Sequence, residues 1–330
     1  MNQPFNALLV NNQDDQFSVN VEQLTVQDLP EGDVLIRVHF SGVNYKDSLA
    51  AIPNGNIVNN YPFVPGIDLA GVVVSSSNPQ FKEGDEVIAT SYEIGVSHFG
   101  GYSEFARIPA KWIVPLPKGL SLKEAMIIGT AGFTAALSVQ RLEENGVSPE
   151  KGKVLVTGAT GGVGSFAISI LSKLGYKVEA STGKEAEHDY LKQLGATSIV
   201  PREEVFDGKV RALGKQKWQA AVDPVGGEPL ASLLSQIQYG GSVAVSGLTA
   251  GTKLPTTVFP FILRGVNLLG IDSVYCDMET RLKVWNRFTT DFKPESLEQF
   301  IHQEVSLQEL PNVLPLLLKG QARGRILVKL

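Results

Sequence analysis

The sequence is poor in the groups that hold metals and cross-links. It has one cysteine, Cys276, among 330 residues. A single thiol makes no internal disulfide, and it excludes a four-cysteine zinc lobe and an iron–sulfur cluster. The four histidines, His39, His98, His188 and His302, stand far apart with no HExxH or HxH spacing. Only His98, just before the glycine pair at Gly100, falls in an expected loop, so no metal is expected. An excess of positive charge is also missing. There are 29 basic and 34 acidic side chains, a formal net charge of −5, which leaves no basic footprint for nucleic acid or anionic lipid. Residues 125–139 form the longest apolar-rich run, and Gly129, Thr130, Gly132 and Thr134 interrupt it. That falls short of the roughly 18 uninterrupted apolar residues of a membrane span. Met1-Asn2-Gln3-Pro4 shows no basic region leading into an apolar core. The expectation is a cytoplasmic protein without an export signal or membrane association.

Glycine, by contrast, is abundant: 33 of 330 residues, or 10%, against a usual ~7%. The length suits two domains of roughly 150 residues each. The first third reads as short strands at 7–11, 17–24, 34–40, 69–75, 87–90 and 102–108, separated by Gly, Pro, Asn and Asp clusters. Such spacing predicts a compact β-barrel or sandwich. Ser121-Leu122-Lys123-Glu124 is a capping box that opens a long helix. From residue 153 strands alternate with helices: strands at 153–157, 177–181, 198–200, 220–223, 242–246 and 267–271, with helices at 162–174 and 185–194. That alternation predicts a doubly wound parallel sheet, the α/β class. Helices are expected at 278–292 and 307–318, and a last strand at 325–330 that could return to the N-terminal β unit.

The strongest local signal is Val156-Thr157-Gly158-Ala159-Thr160-Gly161-Gly162-Val163-Gly164. It follows a strand and opens a helix. Glycines let the backbone approach a pyrophosphate, and the helix N-terminus offers unpaired N–H groups and a positive dipole end. Dinucleotide binding is the expected function of this loop. The end of the next strand reports which dinucleotide. NAD sites place an acid about 20 residues on, to accept from the ribose 2′-OH. Here the stretch is Ala180-Ser181-Thr182-Gly183-Lys184, with no carboxylate before Glu185. Two hydroxyls and a lysine suit a 2′-phosphate, so NADPH is the expected cofactor. Arg202 either adds a second charge, stacks on adenine, or is a plain surface arginine.

Taken with the N-terminal unit, the sequence resembles the medium-chain dehydrogenase/reductase superfamily. Within it, the chain is similar to the zinc-free quinone oxidoreductase branch, the group with acryloyl-CoA reductases. The residues that carry the resemblance begin with Gly42-Val43-Asn44-Tyr45-Lys46-Asp47, Pro65-Gly66-Ile67-Asp68-Leu69-Ala70-Gly71 and Gly84-Asp85-Glu86-Val87. They continue with Gly129-Thr130-Ala131-Gly132-Phe133-Thr134-Ala135, the glycine loop, Asp223-Pro224-Val225-Gly226-Gly227 and Gly324-Arg325-Ile326-Leu327-Val328. The resemblance spans the whole chain. It implies a discontinuous GroES-like β-barrel catalytic domain (residues 1–125 and 275–330), a Rossmann NADPH-binding domain (126–274), an active cleft between them, and a homodimer. Zinc alcohol dehydrogenases of the superfamily carry a cysteine ligand after the third strand and a later Gly-His-Glu. This sequence has Asn44-Tyr45 and Gly66-Ile67-Asp68 there, which removes zinc ligands.

The resemblance also implies roles. Asn44 and Tyr45 flank the nicotinamide, and Thr130 faces it. Gly161, Gly162, Val163 and Gly164 hold the pyrophosphate, while Ser181, Thr182, Lys184 and Arg202 contact the 2′-phosphate and adenine. Leu248, Ile271 and Ser273 line the nicotinamide side, and Arg323 is a further cofactor contact from the tail. The implied reaction is hydride transfer from NADPH to a quinone, an enone or an acryloyl-type thioester. Without a metal, hydrogen-bond donors and then a proton must meet the negative charge. Tyr45 is the candidate donor, with Lys46 and Asp47 tuning or positioning it; the alternative for Tyr45 is packing against the cofactor. The competing class of function is an NADPH-holding sensor or structural protein without turnover.

Overall fold

The computed structural model describes residues 3–13 and 16–330. From the N-terminus come β1 (Phe5–Gln13), β2 (Gln16–Leu24), β3 (Val34–Val43), α1 (Tyr45–Ala50), β4 (Asp68–Ser76) and β5 (Glu86–Thr90). Next are β6 (Phe105–Ile108), β7 (Ile113–Pro115) and the long α2 (Leu122–Glu144). The alternating stretch starts with β8 (Lys153–Val156), α3 (Gly162–Lys173), β9 (Lys177–Ser181), α4 (His188–Gln193), β10 (Ser198–Val200) and α5 (Arg202–Val205). It continues with β11 (Trp218–Asp223), α6 (Gly227–Leu234), β12 (Ile237–Val245), α7 (Phe259–Arg264) and β13 (Asn267–Gly270). The tail forms α8 (Met278–Arg287), β14 (Ile301–Ser306), α9 (Leu310–Leu318) and β15 (Arg325–Lys329).

These elements make two units. The first comprises Met1–Thr130, Val274–Trp285 and Ser296–Leu330, the second Ala131–Ser273 and Asn286–Glu295. In the first, a seven-stranded sheet runs β14-β15-β3-β4-β5-β7, with β6 also paired to β3. β3 holds this GroES-like unit together. Register shifts at Leu35/Ile36 and Val38/Phe40 bend it. Its first half pairs with β4 and β6, and its last four residues pair antiparallel with β15. The C-terminal strand therefore does return to the N-terminal β unit. Val34, Ile36 and Val38 alternate inward from β3 onto Leu69, Val87 and Ile113, the core the two-residue strand period predicts.

The second unit is a six-stranded, wholly parallel sheet of order β10-β9-β8-β11-β12-β13. Numbered from its own first strand, this is the 3-2-1-4-5-6 order of a doubly wound fold, with its reversal between β8 and β11. β11 is buried along its whole length, as expected of a strand covered on both faces.

Two expectations need correcting. All of 275–330 was expected in the barrel unit, but residues 286–295 belong with the second unit. Phe288 and Phe292 are fully buried there, Phe288 edge-on to Phe166 at 6.3 Å, and Arg287 pairs with Glu143 at 2.7 Å. These anchors outweigh the continuity of a helix expected to run to 292, and α8 stops at Arg287. The second correction concerns α2. Despite its interruptions, it is long and apolar enough to cross a membrane by length and composition. Within the protein, 83% of its apolar window is buried, so it is a core helix. The Ser121 capping box is present: Ser121 N–H donates to Glu124 at 2.8 Å, and Glu124 N–H donates back to Ser121 Oγ at 3.2 Å.

Candidate active site

The glycine loop sits where the physics places an anion site, beyond the C-terminal end of β8 at the sheet's reversal. Gly161 caps α3, and the half-buried Gly162 and Val163 begin it. Gly164 is required by space. A Cβ there would lie 2.5 Å from Gly158 O and 2.7 Å from Ala159 Cα, both backbone atoms that cannot yield. The fully buried Asp223, at the end of β11, braces the loop from its other side. It accepts from the Thr157 hydroxyl at 2.5 Å and from Gly226 N–H at 2.8 Å. Burial pushes its carboxyl above the usual range.

The expected 2′-phosphate residues gather at the neighbouring strand ends. Ser181 and Thr182 are buried, and Thr182 N–H donates to Val200 O at 3.2 Å, tying the end of β9 to β10. Thr182 Oγ1 accepts from Lys184 N–H at 3.1 Å. Arg202, at the start of α5, lies against Gly183, where a Cβ would be 3.3 Å from its Nε. Burial holds the Lys184 ammonium below its ordinary pKa, and the nearby Arg202 charge adds to that. Leu248 follows β12 and is exposed, and Ile271 N–H donates to Val245 O at 3.0 Å. Ser273 is buried and accepts from the Thr134 hydroxyl at 2.8 Å. All of these residues belong to the second unit.

Asn44, Tyr45, Lys46, Asp47, Thr130 and Arg323 belong to the first unit. Two of them converge on Asp68, the fully buried first residue of β4. Asn44 Nδ2 donates to Asp68 Oδ2 at 2.8 Å, Thr130 N–H to the same oxygen at 2.9 Å, and the Thr130 hydroxyl to Oδ1 at 2.5 Å. Asp47, in the first turn of α1, accepts from Asn44 N–H at 2.8 Å and from Ile67 N–H at 2.9 Å. Burial, and then the Asp68 charge, push Asp47 up to about 7. Tyr45 is 41% exposed at the head of α1, and Lys46 beside it is half-buried.

Sequence reasoning overlooked the cation that organises this cluster. It is Arg325, two residues on from Arg323, at the start of β15. Its buried guanidinium donates to Asn44 Oδ1 at 3.0 Å, Val43 O at 3.1 Å and Ile127 O at 3.0 Å, and pairs with Asp68 at 3.4 Å. Gly129 makes the arrangement possible. It breaks α2 with φ +49, and a Cβ there would lie 2.6 Å from both Asp68 Oδ2 and Arg325 Nη2. The break frees the Thr130 N–H for Asp68. Asp68 and Arg325 both stand in motifs of the resemblance, but only the fold brings residues 257 positions apart into contact.

Two family models match the chain: an alcohol dehydrogenase GroES-like domain over residues 30–118, and a zinc-binding dehydrogenase over 162–288. The putative quinone oxidoreductase YhfP of Bacillus subtilis is 62% identical over 99% of both chains. The probable acrylyl-CoA reductase AcuI of Escherichia coli is 49% identical over 98% of this chain and 99% of its own. A crystal structure of Bacillus subtilis yhfP with NAD bound superimposes with a TM-score of 0.97 at 61% identity, covering 99% of this chain and 100% of that one. The yhdH oxidoreductase of Salmonella enterica in complex with NADP gives 0.95 at 47% identity, over 98% and 99%. The zinc in the second model's description does not fit the residues present. Among the described residues no group of three His, Cys, Asp or Glu could hold a metal. Asp68, in the Gly66-Ile67-Asp68 stretch, is already engaged by Asn44, Thr130 and Arg325.

Proposed function

The chain belongs to the medium-chain dehydrogenase/reductase superfamily, in its quinone oxidoreductase and acrylyl-CoA reductase group, and from that premise we propose an NADPH-dependent, zinc-independent oxidoreductase. Its acceptor is a quinone or a carbon–carbon double bond activated by a carbonyl or thioester. The observation that carries the cofactor choice is the pair of cations, Lys184 and Arg202, near the Ser181 and Thr182 hydroxyls, with no carboxylate in the stretch 180–184. A hydrogen bond to a charged group contributes ~1.5–3 kcal/mol, so the pair favours a 2′-phosphate by roughly tenfold or more. Gly161, Gly162, Val163 and Gly164 bind the pyrophosphate, and Leu248, Ile271 and Ser273 line the nicotinamide side.

Bound NADPH supplies the hydride. Reduction of an activated double bond places that hydride on the β carbon and a proton on the α carbon, with negative charge on the carbonyl oxygen between the two steps. This protein's residues meet that charge with hydrogen-bond donors. The Tyr45 hydroxyl, exposed at the head of α1, is the donor that can reach a bound substrate. Asp47 fixes the start of α1 and so the place of Tyr45 and Lys46. Asn44 and Thr130, locked onto Asp68, make a rigid polar wall within the first unit, which limits the reorganisation needed during reaction.

The first unit and the nucleotide site are proposed to work in a homodimer. β13 is the outer strand of its sheet, and α7 just before it exposes Ile262 (68%) and Leu263 (55%). Light scattering of the purified protein checks the mass.

The test of function is NADPH oxidation with acrylyl-CoA and, in parallel, with 9,10-phenanthrenequinone. A much larger kcat/KM for the thioester makes the protein an enoyl-thioester reductase, and the reverse order makes it a quinone reductase. NADPH binding without acceptor-dependent oxidation by either would make it a binding protein.

A further inference from the structure

The turn after β5 carries two consecutive side-chain-bearing residues in the left-handed region, Ser91 at φ +64 and Tyr92 at φ +50. Glycine is the usual residue there, because a Cβ crowds the neighbouring carbonyl. Strain of this kind persists where the surroundings over-determine it, and it clusters at functional sites. Here the surroundings are explicit. Arg281 of α8 is fully buried, and its guanidinium lies over the Tyr92 ring, 4.4 Å from the centroid. Its Nε donates to the Tyr92 hydroxyl at 3.2 Å, Nη1 to Thr90 Oγ1 at 3.2 Å, and Nη2 to Val274 O at 3.0 Å. Tyr92 stacks on Trp112 at 5.8 Å, and its N–H donates to Val274 O at 3.3 Å. The ring, the backbone and the residue before it are all held.

The held conformation has one polar result. Ser91 N–H donates to Ile67 O at 2.8 Å, and Ser91 Oγ stands 3.1 Å from Thr130 Oγ1. The Thr130 proton is committed to the Asp68 carboxylate, so Ser91 is the donor of that pair. The Thr130 hydroxyl is therefore gripped from two sides, each ending in a buried arginine. Arg325 fixes Asp68 on one side, and Arg281 fixes Ser91 on the other.

We infer that Arg281 is a positioning residue for the reaction, acting through the Tyr92–Ser91 turn on the hydroxyl of Thr130. The inference rests on the proposed reading of this chain as an NADPH-dependent reductase in which Thr130 belongs to the reacting site. Arg281 touches neither of the two hydroxyls it sets in place. Without its clamp the turn relaxes to negative φ, Ser91 leaves Thr130, and the wall loses one of its two restraints.

The experiment is a double-mutant cycle in the full-length protein with Arg281→Lys, Ser91→Ala and the double variant. Each single substitution is expected to lower kcat about tenfold, since a misplacement near 1 Å can cost up to a hundredfold. The NADPH dissociation constant, read by fluorescence titration, should move by less than about twofold, because the nucleotide is held by the glycine loop. The double variant should be no slower than the slower single variant, because both act on one chain of contacts. A double variant whose loss is the product of the two single losses overturns the inference, as does unchanged kcat in Arg281→Lys. If Arg281→Lys does not fold, Tyr92→Phe takes its place. It removes the hydroxyl's two contacts, with Arg281 Nε and with Cys276 O at 3.3 Å, and keeps the ring; its smaller loss should vanish in the Ser91→Ala background. Wild-type protein that oxidises NADPH with neither acceptor refutes the reductase reading itself. The same four proteins then decide the structural link by their urea midpoints: non-additive shifts keep it, and additive shifts remove it.

Discussion

The two units build their polar sites in opposite ways. The second unit assembles most of its site from one short stretch of chain. Strand, glycine loop and helix follow one another from residue 153 to 173, and the side chains proposed to read the 2′-phosphate begin at the end of the next strand. The first unit assembles its cluster from residues 44, 47, 68, 91, 130, 281 and 325, from six places in the chain. A site made of backbone N–H groups at a helix start needs little beyond correct local folding. A site made of buried charges needs each partner present, because a buried charge without its partner is strongly destabilising.

The difference can be broken or sharpened experimentally. The largest effect is expected from Arg325→Met, which leaves Asp68 buried without its cation and should cost about 3–5 kcal/mol in urea unfolding. Adding Asp68→Asn should recover part of that loss, and a further loss on adding it would show that the pair does not work as a unit.

The next effect reads Asp47 through pH. Its folded pKa is raised from 3.8 to about 7, so the folded state holds a proton that the unfolded chain releases. Its contribution to stability is full below about pH 4, falls as pH rises towards 7, and is flat above. Unfolding curves of wild type and Asp47→Asn should therefore differ by an amount that changes between pH 4 and 7 and is constant above. A constant difference across that whole range would contradict the assignment.

In the second unit, Gly164→Ala sets a methyl against Gly158 O. Overpacking costs about 1–3 kcal/mol, so NADPH affinity should fall roughly 10- to 100-fold, with the first unit's unfolding unchanged if the site is as local as it looks. The smallest effect is expected from Lys184→Met. It should reduce the preference for NADPH over NADH by roughly tenfold, measured as a ratio of dissociation constants. An unchanged ratio would move the 2′-phosphate contact elsewhere.

How much was legible follows the same division. The glycine loop, the alternating strands and helices, the missing acid after β9 and the loss of zinc ligands could be read from neighbouring letters. Asn44, Asp47 and Thr130 were named through the resemblance, but what joins them was not. Asp68 and Arg325 stood inside quoted motifs without a role, because nothing local says that two charges 257 residues apart share a hydrogen bond. Ser91 and Arg281 left no signal at all, since neither left-handed backbone at a serine nor a clamp from α8 has a sequence pattern. The break at Gly129 was read as an interruption in apolar character, when its use is to let Thr130 leave the helix and meet Asp68. Residues 286–295 were misplaced because the helical pattern ran on past Arg287, while burial of Phe288 and Phe292 decided their home.

The chain passes between the two units four times, after Thr130, Ser273, Trp285 and Glu295. No single cut releases either unit intact, and a truncation from either end removes strands of the first unit before it reaches the second. Exchanging the nucleotide-binding half with that of a relative would take four matched junctions, two of them only ten residues apart. Recombination at one crossover cannot supply them, so the two units are inherited together.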